Sequence, residues 1–227
     1  MLGRTARRAI DVARVARPGA RRLGRSARRR RFVVRAKAAA SWAGAELDIR
    51  IAEDADIRSV DLDIWPGTHS SLVIGAGARL GDGVRLSLRG GRLEIGAGTD
   101  VRRHGTYHVG GALLIGSGCV LSTGVCVHCA ESVSIGDLTI VGEYTTIADS
   151  AHVRTAPGAP VHHSVRTRPV AIGSNVWIGA HAVVASGTDV GDQCFIGAGA
   201  VVVSDVPAGW LAGGVPAKPL RELAVEA

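Results

Sequence analysis

The chain has 227 residues, enough for one sizeable domain or one repeat array. With 4% aromatic residues against 46% apolar ones, its interior must be filled by Val, Ile, Leu and Ala, which suits a narrow, regular core. The formal charge of +7 is unevenly held: residues 1–40 carry 14 Arg or Lys against Asp11 alone, and residues 41–227 hold 13 bases and 19 acids. That body is mildly acidic and lacks the interleaved aromatic and basic residues of a nucleic-acid surface, so no nucleic-acid partner is expected. No run of 18 uncharged apolar residues occurs, which argues against a membrane-spanning helix, and the N-terminus lacks a secretory apolar region, so the expected location is cytoplasmic.

From Arg4 to Lys37 arginines alternate with Ala, Val, Leu and Ile. Helix formers dominate, and Pro18-Gly19 predicts two short helices or one kinked helix. Ile10, Val12, Val15 and Leu23 give a weak apolar face, and Arg28 to Arg31 form a continuous basic block. Two readings of this arm, residues 1–45, stand together. One is contact with an anionic membrane surface at the cytoplasmic side, and the other is a solvated or oligomer-packing extension.

After residue 45 the chain becomes periodic. Ile172, Ile178, Val184, Val190, Ile196 and Val202 recur every six residues, and Gly follows four of them directly. Val109, Ile115, Leu121, Val127 and Val133 keep the same step, as do Ile135, Val141, Ile147 and Val153. A six-residue step fits a short strand plus a turn with one apolar side chain pointing inward. Three such faces make a triangular coil of about 18 residues, and residues 46–205 supply roughly seven or eight. Glycine after the inward residue is expected to serve a sharp corner, at some positions with φ > 0. Phase slips between the blocks imply short insertions at corners. The two end coils are open edges, which the leader and the Pro-containing tail, residues 206–227, are placed to cap.

The hexad stops between Val153 and Val170, so a loop is expected at about 154–169, containing Pro157, Pro160, Pro169, His162 and His163. His152 precedes this loop; Asn175, Trp177 and His181 follow it. A rigid array that opens one loop in its most regular half places that loop where function is expected. Histidine suits a general base at neutral pH, and backbone N–H groups at tight corners can stabilise an oxyanion.

The stretch PVAIGSNVWIGAHAVVASGTDVGDQCFIGAGAVVVSDVPAGWLAGGVPAKPL, residues 169–220, resembles the C-terminal signature of the hexapeptide-repeat acyltransferases, in particular the galactoside, maltose and xenobiotic O-acetyltransferases and related sugar O-acyltransferases. The resemblance covers roughly residues 70–220. It implies an all-β fold, a left-handed parallel β-helix, and acyl transfer from acetyl-CoA to a hydroxyl of a sugar, glycan or glycolipid precursor, with no resident metal. It also implies a homotrimer.

Related sugar O-acyltransferases carry their catalytic histidine in an Asp-Ser-x-His-like sequence before the loop, which reads Asp149-Ser150-Ala151-His152 here. On that match His152 is the base, and Asp149 orients its imidazole or contacts the acceptor. Galactoside acetyltransferases instead use the first histidine of a Gly-His-Pro-Val-His-His-like stretch; this chain has Ala159 in that place, within Gly158-Ala159-Pro160-Val161-His162-His163. The open alternatives are therefore His152, His162 or His163, or a missing base. For the donor, the family pattern points to Trp177 as an active-site wall. Gly179, Ala180, Gly197 and Ala198 match narrow coil edges along the pantetheine arm, and Lys218 and Arg221 match partners of the coenzyme A phosphates.

Four cysteines, Cys119, Cys126, Cys129 and Cys194, read as small core side chains, because Cys126 and Cys129 lack a second CxxC. The alternatives to an acyltransferase are a catalytically silent scaffold and a zinc enzyme resembling the γ-class carbonic anhydrases, drawing on His128, His152, His162 and His163.

Overall fold

The computed structural model describes residues 18–158, 160–161 and 164–223. Among the described residues one helix, α1 (Pro18–Trp42), precedes the strands. Pro18 is the first described residue of this helix, and the expected break or kink at Pro18-Gly19 adjoins residues outside the described ones. Gly24 is absorbed within it. The packing face of α1 is Phe32, Ala36 and Ala40, spaced four apart and buried. The expected face on Ile10, Val12, Val15 and Leu23 lies outside the described residues and side chains.

Seven triangular coils follow: β1–β3 (46–64), β4–β6 (69–88), β7–β9 (92–109), β10–β12 (112–129), β13–β15 (132–148), then, after an interruption by β16 (Ser150–His152) and β17 (Val165–Thr167), β18–β20 (170–184) and β21–β23 (189–202). The first strands of the coils stack as one parallel face, A; the second strands form face B, and the third face C. The coils wind left-handed. Strands β24 (Trp210–Gly214) and β25 (Ala217–Glu222) extend face B, β25 running antiparallel.

The core is a set of inward columns, such as Leu72–Leu93–Leu113–Val133–Val170 on face A and Ile57–Leu80–Val101–Leu121–Val141–Ile178–Ile196 on face B, all buried. Burying each Leu or Ile contributes about 1.5–3 kcal/mol, offsetting the ordering of its strand. Among the described strand residues, Tyr107 brings an aromatic ring into this interior: it is buried in the column of Leu86 and Val127, and burial pushes its phenol pKa up. Gly105 makes the room, since a Cβ there would stand 2.8 Å from the Tyr107 ring.

Coil length departs from the expected value in the N-terminal half. Ile178 pairs with Ile196, a step of 18 residues, but Leu93 pairs with Leu113 and Leu113 with Val133, steps of 20. The extra residues sit where face C turns into face A, at Gly110-Gly111 and Ala130-Glu131, which produces the phase slips. The glycines after the inward residues also have a different purpose from the one expected. Positive φ falls elsewhere, at corner residues such as Gly98, Gly118, Leu138, Asn175 and Gln193. Gly96, Gly142 and Gly179 are needed because the next coil passes too close for a side chain; a Cβ on Gly179 would lie 2.5 Å from the Ala198 nitrogen.

Helix α1 closes the open end of the first coil, as placed from the sequence. Asp56, 3% exposed, receives Arg28 at 2.6 Å, and Arg25 and Arg58 stand within 4.0 Å. Burial acts to raise the Asp56 pKa, but the Arg28 hydrogen bond and the charges of Arg28, Arg58 and Arg25 outweigh it, holding the carboxyl below its usual value. Arg29 donates to the Ile51 carbonyl, so part of the basic block is committed to the solenoid.

Candidate functional site

The outward residues of face B form a column along the prism, one per coil. Ile140 pairs with Trp177, Trp177 with Phe195, Phe195 with Leu211, and Leu211 with Arg221. Trp177 is 51% exposed and Phe195 39%, with their rings edge to face at 5.4 Å. Beside this apolar column the corner from face B to face C is built of small residues, because Gly142, Gly179 and Gly197 succeed one another from coil to coil. Column and corner enclose a cleft of about 470 Å³ lined by Trp177, Gly179, Ala180, Gly197 and Ala198, together with Ser122, Ile140, Gly142, Glu143, Phe195, Ile196 and Leu211.

Five of the residues read from the sequence as donor-binding therefore meet in one groove. Lys218 and Arg221 lie on β25, exposed, at the end of the same sheet, where Arg221 continues the column after Leu211 and Lys218 pairs with Gly213. Phe195, Leu211, Ile140 and Gly142 were not singled out by the sequence reading. The signal for Phe195 was available: Trp177-Ile178-Gly179-Ala180 recurs one coil later as Phe195-Ile196-Gly197-Ala198.

The interruption leaves the stack between face C and face A. It is a two-stranded ribbon, β16 antiparallel to β17 with His152 opposite Val165, and not a structureless loop. His152 is exposed, and its Nδ1 lies 3.2 Å from the Val161 carbonyl oxygen. A carbonyl can only accept, so Nδ1 carries the proton, and in the neutral imidazole the lone pair is on Nε2. Ala159, His162 and His163 lie outside the described residues.

The Asp149 carboxylate is engaged with the backbone of the wall and not with His152. It is 0% exposed. Both carboxylate oxygens accept from the corner of the preceding coil: Ala130 N at 2.8 and 3.0 Å, Glu131 N at 2.7 Å and Ser132 N at 2.8 Å. The Asp149 carbonyl accepts the Arg168 N–H at 2.8 Å, joining the two ends of the ribbon. Asp149 thus fixes where the ribbon departs, and the group within hydrogen-bond distance of the His152 Nδ1 is the Val161 carbonyl.

The other histidines serve the solenoid or its faces. His181, at φ 58°, occupies the left-handed corner position that Gly199 fills one coil on, and stacks on Tyr144 at 5.4 Å. Asn175 is a second such corner, at φ 54°. His108 and His128 stack on face C at 4.7 Å; burial, His128 and two arginines lower the His108 pKa against the opposing pull of Asp63. Cys126 faces outward on its strand and Cys129 inward, so the CxxC pair points to opposite sides of the wall. Burial pushes the Cys129 thiol up to about 11, the Asp149 charge adding to it. Among the described residues no three His, Cys, Asp or Glu side chains converge on one point.

Within one chain the groove and His152 stand at different corners of the prism, the first between faces B and C, the second between C and A.

Residues 169–204 match the family model for bacterial transferase hexapeptide repeats (six repeats). The galactoside O-acetyltransferase of Escherichia coli K12 is 41% identical over 99 residues, 38% of this chain and 49% of that protein, so the match spans about half of that relative's length. Nodulation protein L of Rhizobium meliloti is 37% identical over 136 residues, 59% of this chain and 72% of that protein. Among solved structures, the polySia-specific acetyltransferase NeuO superposes with a TM-score of 0.55 at 20% identity, over 81% of this chain and 82% of NeuO, a likeness of fold. The repeat, the solenoid and the identity to nodulation protein L together make this chain a member of the hexapeptide-repeat, left-handed β-helix acyltransferase superfamily.

Proposed function

We propose that this protein transfers an acyl group, acetyl in the first instance, from coenzyme A to a hydroxyl of a sugar-containing acceptor. The observation that carries the reading is the groove, where a small-residue edge and an apolar wall run along one sheet and end at Lys218 and Arg221. A flexible, weakly polar arm fits the narrow part, and the two cations suit a polyphosphate end. The galactoside O-acetyltransferase supports a sugar hydroxyl as the acceptor.

In this reading His152 Nε2 takes the proton from the acceptor hydroxyl as its oxygen attacks the thioester carbonyl. The tetrahedral intermediate collapses, the C–S bond breaks, and the imidazolium returns the proton to the departing thiolate, giving the ester and free coenzyme A. No covalent acyl-enzyme is formed. Because His152 and the groove occupy different corners, His152 of one copy serves the groove of a neighbour, which supports a closed ring of three copies. Arg30, Arg31, Arg35 and Lys37 on the exposed side of α1, with Trp42 beside them, would hold such a ring at an anionic membrane surface on the cytoplasmic side.

Calorimetric titration of coenzyme A tests the donor site. Wild type is expected to bind at micromolar Kd, and the Lys218→Ala/Arg221→Ala variant at least tenfold more weakly. A folded wild type that binds no coenzyme A removes the reading. His152→Ala should lower kcat by roughly 10²–10⁴, and mixing it with Lys218→Ala/Arg221→Ala should restore part of the activity only if sites are shared between copies.

A further inference from the structure

The groove does not stop where its small residues do. Along the corner from face B to face C the residue after each face-B strand reads Gly197, Gly179, Gly142, Ser122, Arg102, Gly81, one per coil, linked by successive backbone hydrogen bonds. The outward column of face B likewise passes from Trp177 and Ile140 through Val120 and Asp100 to Arg79. Beyond Ser122 the walls change from apolar to basic. A second cavity of about 340 Å³ opens there, lined by Arg58, Arg79, Arg102 and Arg103 with Asp82 and Asp100, and with Thr123 at the end nearest the donor groove.

The charges in this cavity are not balanced. Arg58 is held by Asp56 and Asp82 at 3.7 Å each, and Arg102 by Asp100 at 3.8 Å. Arg79 and Arg103 have no carboxylate within 4.0 Å among the described residues, although both line the cavity. Four guanidinium groups against two carboxylates leave a concave surface with a net positive field, and guanidinium is the side chain best shaped for two-point recognition of a phosphate or carboxylate.

We infer that this arginine cavity recognises an acidic group, phosphate or carboxylate, on the acceptor, so that the enzyme acts on an anionic sugar. The inference rests on the donor reading above, which places the coenzyme in the apolar half of the track and leaves the basic half, nearer the N-terminus, for the second substrate. Spacing supports the division. Arg79 and Ile140 are three rungs apart on face B, about 14 Å at the strand spacing of a sheet, which is room for a sugar between the acyl end of the groove and the arginines. The competing source of the same chemistry is a phosphate of coenzyme A itself, lying in the opposite direction along the track.

The test is calorimetry on the coenzyme A-loaded protein with three probes: galactose 6-phosphate, galacturonate and methyl galactoside. At least one anionic sugar is expected to bind wild type more tightly than methyl galactoside. The Arg79→Gln/Arg103→Gln variant should weaken that sugar at least tenfold, while coenzyme A affinity stays within twofold. Arg30→Gln/Arg35→Gln, which removes the same charge from the helix, should leave the sugar's affinity unchanged. Equal sugar affinity in the cavity variant and wild type overturns the inference, as does the absence of binding by both anionic sugars in a protein that binds coenzyme A. Loss of coenzyme A affinity in the cavity variant assigns the arginines to the donor and also overturns it. Failure of wild type to bind coenzyme A at all is a separate result, and it removes the donor reading first.

Discussion

Replacing Asp149 separates two roles that predict opposite phenotypes. Its carboxylate accepts hydrogen bonds from three successive backbone amides, those of Ala130, Glu131 and Ser132, while completely buried. A hydrogen bond to a charged acceptor is worth about 1.5–3 kcal/mol, and water can reach part of this exposed corner once the carboxylate is gone. Asp149→Ala should therefore cost about 3–4 kcal/mol instead of the full sum of three such bonds. At about 2–4 °C per kcal/mol for a chain of this size, the Tm should fall by about 6–16 °C. Asp149→Asn keeps one accepting oxygen but turns an NH2 group toward the amides, and should lose about 2–3 kcal/mol. Urea denaturation of both variants measures the stability, and initial rates at 15 °C, where both remain folded, measure catalysis. If Asp149 only fixes the root of the ribbon, kcat for Asp149→Asn stays within about tenfold of wild type and its pH profile keeps its shape. A variant with unchanged stability and a kcat lowered by 10³ or more would refute the argument and return Asp149 to the catalytic group.

Two glycines in the same motif should respond differently to alanine. A Cβ on Gly179 would meet the Ala198 backbone at 2.5 and 2.7 Å, so Gly179→Ala should destabilise by about 2–3 kcal/mol in urea; on Gly197 the nearest atom is 3.6 Å away, and Gly197→Ala should cost under about 0.5 kcal/mol. Ala198→Leu, at an exposed position on the groove, should leave the Tm within about 2 °C but weaken coenzyme A at least tenfold by calorimetry. The Asp56 carboxyl, lowered in the folded state, contributes stability above the unfolded carboxylate range that is lost as pH falls through the folded value. Wild type should exceed Asp56→Asn by about 1–2 kcal/mol at pH 7, and the gap should close as pH falls below the unfolded carboxylate range in urea titrations.

The parts of the molecule that repeat were legible in the sequence because each coil restates the same physical demand. Ile178 and Ile196 must both point inward, and Gly142 and Gly179 must both let the next coil pass, so period and residue type agree at every turn. That agreement placed the solenoid, and the resemblance to the hexapeptide-repeat acyltransferases pointed to the small-residue edge and to five of the groove residues. What the sequence concealed depends on register between coils that differ in length. A residue step of 18 holds from Trp177 to Phe195, but 37 residues separate Ile140 from its partner Trp177, with the ribbon between. Arg79, Arg102 and Trp177 share one track only after those offsets are known, and the basic end of the groove has no motif of its own.

Asp149 and His152 part for a related reason. The Asp-Ser-x-His pattern places an acid near a histidine along the chain, but β16 turns away from the stack between them, and the acid remains behind with the coil below. Where a ribbon leaves a solenoid, neighbours in sequence part in role, because the last residue in the wall holds the wall and only the residues beyond it are free to meet a substrate. By the same geometry His152, two strand positions into the ribbon, is carried past the limit of its own prism. Its Nε2 then meets a substrate only if another surface is brought to it, and the groove of a neighbouring copy is the surface we propose. The separation of His152 from the groove within one chain is therefore the strongest structural argument for a shared site, and the mixing experiment with two individually impaired variants addresses it directly.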